Sequence, residues 1–258
     1  MTAENVLLII DPQNDFCDKT GKLYVPNSEN DIDNICQLID TKHNMFNRVI
    51  VSLDTHSINH IAAPTTWIDN NGNHPTPFTI LDQHGIDQNT NTQYKSANND
   101  NKLIEALELH YKVNKNPMII WPNHCVVGTF GAAVVEKLNN TIYKYTNKYI
   151  INHILKGQDI YSEQYGCFNG PTTVIGCESN IINLTPKNFY VCGEAKSHCV
   201  LETIEQLLQC NIFRAGWKVF VINDCTSPVT GFENLFDQRM EQYISKGLVT
   251  VVNSFKDL

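Results

Sequence analysis

Apolar residues in this chain come in short unbroken blocks, separated by stretches whose apolar positions recur at helical spacing. Val6 to Ile10 is a continuous apolar run of strand length, the pattern of a strand buried on both faces. Arg48–Leu53, Asn147–Leu155, Phe189–Cys192, Trp217–Ile222 and Leu248–Val252 predict five further strands. Helical patterns lie between several of them. One covers Asn34–Phe46, with Ile35, Leu38 and Ile39 inward; others cover Gly131–Leu138, Val200–Cys210 and Asn234–Ser245. Strands alternating with helices predict an α/β fold, a doubly wound, mainly parallel six-stranded sheet with helices on both faces. Ligands of such sheets bind beyond the carboxyl ends of the strands.

The alternation is interrupted between Ile61 and Pro117. This stretch holds prolines and an Asn/Asp/Gln-rich region from Asp87 to Asn101, with one helical pattern at Leu103–His110. A structureless loop of that length is unusual, so an ordered insertion is expected. The organisation predicted is a single domain over 1–258 with an insertion at about 61–117. Within it, residues 67–78 carry Trp67, His74, Pro75, Pro77 and Phe78. Two readings stand for this segment: a wall folded over the strand-end cleft, or a scaffold extension packed away from it.

Bulk properties narrow the function. A net charge of −8 with no basic run argues against a nucleic-acid surface. No apolar run approaches membrane-spanning length, and the first ten residues lack a basic n-region. Nine scattered cysteines suit reduced thiols in a cytoplasmic protein better than a disulfide scaffold.

Chemically strong residues stand at the predicted strand ends. Asp11 follows the first strand, Asp54 and His56 the second, and Lys156 the third. Cys199 lies past the fourth strand, where the Val200 helix begins; unpaired N–H groups and the dipole there favour a thiolate, and Lys196 and His198 add positive character. A small buried hydrophobe is the bland alternative for Cys199. Asp54 and His56, two apart in an extended chain, project the same way and form half of a metal site. His124 or His60 would complete a set suited to Zn²⁺, Fe²⁺ or Mn²⁺. Taken singly, Asp11 reads as a turn former and Asp54-Thr-His56 as a solvated turn.

Taken together and in order, these segments resemble the isochorismatase-like cysteine hydrolases, in their nicotinamidase-related branch. The resemblance rests on Asp11-Pro-Gln-Asn-Asp-Phe-Cys17, Asp54-x-His56, Trp121-Pro-x-His124-Cys125, Lys156-Gly157 and Gly193-x-Ala195-x-x-x-Cys199-Val200. It implies a catalytic set of Asp11, Lys156 and Cys199, and an oxyanion hole from the N–H groups of Ala195 and Cys199. It also implies a cis peptide before Ala195, one divalent transition metal on Asp54, His56 and His124, with His60 a possible further ligand, and a homo-oligomer. Phe16 and Trp121 are candidates to sandwich an aromatic ring, with Tyr165 closing the pocket. The activity implied is hydrolysis of nicotinamide to nicotinate and ammonia through a thioester. Alternatives are an amidase for another small carboxamide, an isochorismatase-type hydrolase, or a non-catalytic ligand-binding member. The chain departs from the branch at Gly193-Glu-Ala-Lys-Ser-His-Cys-Val200, where many nicotinamidases carry Gly-x-Ala-Thr-Asp-x-Cys-Val, and in its longer 67–80 segment.

Overall fold

The computed structural model describes residues 4–168, 186–209 and 216–258. Its main sheet comprises six strands: β1 (Glu4–Ile10), β2 (Arg48–Asp54), β7 (Ile150–Lys156), β8 (Pro186–Gly193), β9 (Lys218–Ile222) and β10 (Val249–Val252). They lie in the order β10-β9-β8-β1-β2-β7, every neighbouring pair parallel. The predicted doubly wound sheet is therefore present.

The unbroken apolar run of β1 follows from its central place. Val6, Leu8 and Ile10 enter one apolar layer, Leu7 and Ile9 the other. The first layer is closed by Leu201, Ile204 and Leu207 of α5 (Leu201–Gln209) and by Phe236 and Met240 of α6 (Leu235–Ser245). The second is closed by Ile32, Ile35 and Leu38 of α2 (Ser28–Lys42) and by Leu138 and Ile142 of α4 (Glu136–Tyr143). A polar residue at any of the five β1 positions would be buried without a partner, so no alternation is possible there.

Some boundaries differ from the sequence reading. Helix α2 starts at Ser28, two turns before the predicted start, and ends at Lys42. Helix α4 begins at Glu136, whereas the pattern suggested Gly131. Gly131 is held against the Asp15 carboxylate, where an added Cβ would sit 2.0 Å from Asp15 Oδ2, and Gln13 pairs with Val134. Tertiary contacts thus keep 131–135 out of the helix. Lys156 is the last residue of β7 rather than following it. The predicted end of the Val200 helix, Cys210, lies outside the described residues.

The 61–121 stretch builds a third apolar cluster of Ile61, Trp67, Leu81, Leu103, Leu107, Met118 and Trp121. It contains two small antiparallel pairs, β3 (Trp67–Ile68) with β5 (Lys95–Ser96) and β4 (Ile80–Leu81) with β6 (Met118–Ile119), and helix α3 (Lys102–Asn114). Among the described residues, no helix is long and apolar enough to cross a membrane. The seven described cysteines are all free and buried.

Candidate active site

The register of the central strands assembles the site. Ile10 pairs with Gly193 and Asp54 with Lys156. Asp11, Asp54, Lys156 and the loop after Gly193 therefore meet at one sheet edge. Lys156 Nζ lies 2.9 Å from Asp11 Oδ2, 3.2 Å from Asp54 Oδ1 and 3.5 Å from Cys199 Sγ. Ser52 Oγ donates to Asp11 Oδ1 at 2.7 Å. Burial works against the Lys156 ammonium, but Asp11 and Asp54 outweigh it and hold its pKa well above the usual lysine value. Burial raises Asp11 despite the opposing lysine.

Cys199 occupies a single π-turn, Lys196–Val200, ahead of α5. Burial pushes its thiol well above the ordinary range, opposed by Lys156. Burial therefore opposes the thiolate that the helix terminus is expected to favour. The expected positive neighbours are also replaced. Lys196 turns away to donate to Asn223 Oδ1 at 2.8 Å, and burial lowers His198 to about 4, leaving it neutral. Lys156, with Nζ 3.5 Å from Sγ, supplies positive charge beside the sulfur.

Asp54, His56 and His124 converge with their ligand atoms all within 4.8 Å of one another. His56 Nδ1 lies 3.2 Å from Gly157 O, and His124 Nδ1 lies 2.7 Å from Pro122 O. A carbonyl can only accept, so both Nδ1 atoms carry hydrogen, and in the neutral rings both Nε2 atoms keep lone pairs. Those lone pairs face one carboxylate oxygen, Asp54 Oδ2, at 2.9 and 3.3 Å. Three donors directed at one another fit a divalent cation between them. His60 does not join: its Nε2 donates to Ser162 O at 2.9 Å, its Nδ1 accepts from Ala62 N at 3.2 Å, and no lone pair remains.

A cleft reaches this set, lined by Phe16, Asp54, Trp121, His124, Glu163, Tyr165, Ala195, His198 and Cys199 among others. It is narrow, with about 20 Å³ of free space for water-sized centres. The three expected aromatic contacts all border it, with Trp121 Nε1 donating to Tyr165 Oη at 3.0 Å. Residues 67–78 do not line it. Trp67 is wholly buried in the third cluster and donates to Ile61 O at 2.7 Å, while Phe78 packs edge-on against Trp121 at 5.8 Å. Within the protomer, this segment backs the wall rather than forming it.

The sequence reading missed several supporting residues. Gln13 brackets Asp54, donating to its carbonyl and accepting from its N–H, each at 2.7 Å. Asp15 Oδ2 accepts from Cys125 N at 2.7 Å and so fixes the turn that carries His124. Gly157 has φ +73°, and a Cβ there would press on Asp54 and His56; Gly193, at φ +99°, lies against the Ile10 backbone. Glu163 borders the cleft with no sequence signal, because it stands in a loop whose path only packing fixes. The bond between Glu194 and Ala195 is cis, as the resemblance implies.

The α/β fold that carries this cleft is the fold seen in nicotinamidases. The chain superposes on the yeast nicotinamidase Pnc1p with a TM-score of 0.69 and 21% identity, over 97% of this chain and all of that one. A nicotinamidase/pyrazinamidase from Acinetobacter baumannii gives a TM-score of 0.67 at 22% identity, covering 100% and 99% of the two chains. In sequence it is 23% identical to the nicotinamidase of Saccharomyces cerevisiae over 92% of this chain and 94% of that protein. It is 27% identical to the nicotinamidase of Escherichia coli over 84% and 80%. A similar solved structure, a pyrazinamidase from Pyrococcus horikoshii with a TM-score of 0.56, is in complex with zinc. No protein-family model matches the sequence.

Proposed function

We propose that this protein is a cysteine-dependent amidohydrolase of the nicotinamidase type, converting a small aromatic carboxamide and water to the acid and ammonia. The observation that carries the reading is the shared environment of Asp11, Lys156 and Cys199 at the floor of a cleft walled by aromatic rings. The curated relatives, both nicotinamidases, support the substrate class.

The chemistry follows from the groups present. Asp11, kept basic by burial and within hydrogen-bonding reach of Cys199, takes the Sγ proton as the sulfur attacks the carboxamide carbon. Lys156 then neighbours a thiolate and a neutral acid, so positive charge remains where negative charge develops. The oxyanion is received by the N–H groups of Ala195 and Cys199. The C–N bond breaks, Asp11 returns its proton to the leaving nitrogen, and ammonia departs. A water attacks the thioester, losing its proton to Asp11, and the acid and thiol are released.

Asp54, His56 and His124 would hold a divalent transition metal, Zn²⁺, Fe²⁺ or Mn²⁺. When bound, it would supply a Lewis-acid anchor for a ring nitrogen of the substrate. Phe16 and Trp121 hold the ring by its faces and exclude water. Buried free thiols fit a reducing, cytoplasmic setting. Ammonia release from nicotinamide, assayed beside pyrazinamide, benzamide and aliphatic amides, tests the reading. Turnover of none of these by metal-loaded protein rejects it.

A further inference from the structure

Beneath the nucleophile loop lies a second pair of buried acids that the reaction does not consume. Glu194 is fully buried and Asp31, on α2, is 1% exposed. Their carboxyl groups are within hydrogen-bonding reach of each other. Ser227 hydrogen-bonds to the Asp31 carboxyl, yet among the described residues Glu194 Oε1 and Asp31 Oδ2 themselves have no partner. The other oxygens are engaged: Ser227 N donates to Glu194 Oε2 at 3.4 Å, and Asn27 Nδ2 to Asp31 Oδ1 at 3.2 Å. Two acceptor oxygens facing each other in a dry interior repel unless a proton lies between them.

We propose that Glu194 is a positioning residue: its protonated carboxyl donates to Asp31 and so fixes the Gly193–Lys196 loop that presents Ala195 N–H to the cleft. This rests on the reading of Ala195 as an oxyanion donor. The connections around the pair fit the role. Thr226 Oγ1 donates to Gly193 O at 2.6 Å and Lys196 N to Ser227 O at 2.8 Å, so both flanks of Glu194 are tied to 226–227. Asn27 Nδ2 also reaches Ser227 Oγ at 3.1 Å. The carboxyl pair adds the link to α2. Glu194 is held well above the ordinary carboxylate range by burial and then by Asp31; burial raises Asp31 to about 6. Asp224 and Glu29 also act on Asp31, both raising it.

The test compares wild type with Glu194→Gln and Glu194→Leu, each metal-loaded. Glutamine can donate to Asp31 and accept from Ser227 N; leucine can do neither. Infrared difference spectra at neutral pH should show a protonated-carboxyl stretch in the wild type that Glu194→Gln lacks. Glu194→Leu should lose about tenfold or more in kcat with KM little changed, and Glu194→Gln should stay within about twofold of wild type, because the loss is of transition-state positioning. No protonated-carboxyl band at neutral pH overturns the proposal. So does a glutamine variant as impaired as the leucine one, or a folded leucine variant with full kcat. The infrared result stands whether or not carboxamides are hydrolysed, so failure of the proposed function and failure of the shared proton are separate outcomes.

Discussion

Lys156 holds its ammonium 2.9 Å from the Asp11 carboxylate with both side chains sealed from solvent. A charge so placed survives only because it is paired, and Asp54 adds a second carboxylate at 3.2 Å. Lys156→Met would leave the buried Asp11 carboxylate without its cation. We expect it to be inactive and to lose about 3–5 kcal/mol of stability, read by urea denaturation. A variant as stable as wild type would mean that the acids are neutral in the native state.

Cys199→Ala and Asp11→Asn should each lower kcat by about a thousandfold or more while retaining the native circular dichroism spectrum. The sulfur forms the covalent bond, and an amide at position 11 cannot take its proton. Asp11→Asn with near-native turnover would place the base elsewhere.

Protein purified without chelator should carry close to one equivalent of transition metal, measured by elemental analysis. His56→Ala with His124→Ala should carry none and remain folded, because the remaining donors cannot hold the ion. At about a hundredfold excess of metal over Kd, stability should rise by about 2.7 kcal/mol, and added chelator should reverse the gain. Acidification should release the metal, since protons compete for the two Nε2 lone pairs. Metal-free protein with no response to Zn²⁺, Fe²⁺ or Mn²⁺ would remove the site.

Trp67 and Trp121 should behave oppositely. Trp67→Ala empties a wholly buried position that does not line the cleft and should cost about 3–5 kcal/mol while leaving the ranking of amide substrates unchanged. Trp121→Ala opens the cleft wall and should change that ranking. A changed ranking in Trp67→Ala would restore residues 67–78 as part of the wall.

Glu194 predicts a pH dependence of stability. Its folded pKa lies above the ordinary value of 4.5, so above that pH the native state binds a proton that the unfolded chain has released. The stabilisation is complete below the unfolded pKa and is lost as pH rises toward the folded one. Relative to wild type, Glu194→Gln should gain up to about 1.4 kcal/mol per pH unit across this window. Denaturation curves at several pH values measure it, and parallel curves would show that Glu194 is ionised when folded.

The sequence by itself determined the sheet and most of the chemistry on its edge. A run such as Val6–Ile10 has no polar position to turn toward water, so it can only be a strand covered on both sides, and strand ends in a parallel sheet share an edge. Asp11, Asp54, Lys156 and Cys199 were legible because local pattern alone sets their places. Tertiary structure decided the rest. Which histidine donates a lone pair depends on what its other nitrogen meets: Pro122 O frees Nε2 of His124, whereas Ser162 O and Ala62 N occupy both nitrogens of His60. Whether an aromatic loop forms a wall or a core depends on packing across distant segments, which buries Trp67 and leaves Trp121 at the cleft. The state of Cys199 and the pairing of Glu194 with Asp31 come from burial and from neighbours far away in the chain. Such desolvation is a property of the folded surroundings, and no local run of residues encodes it.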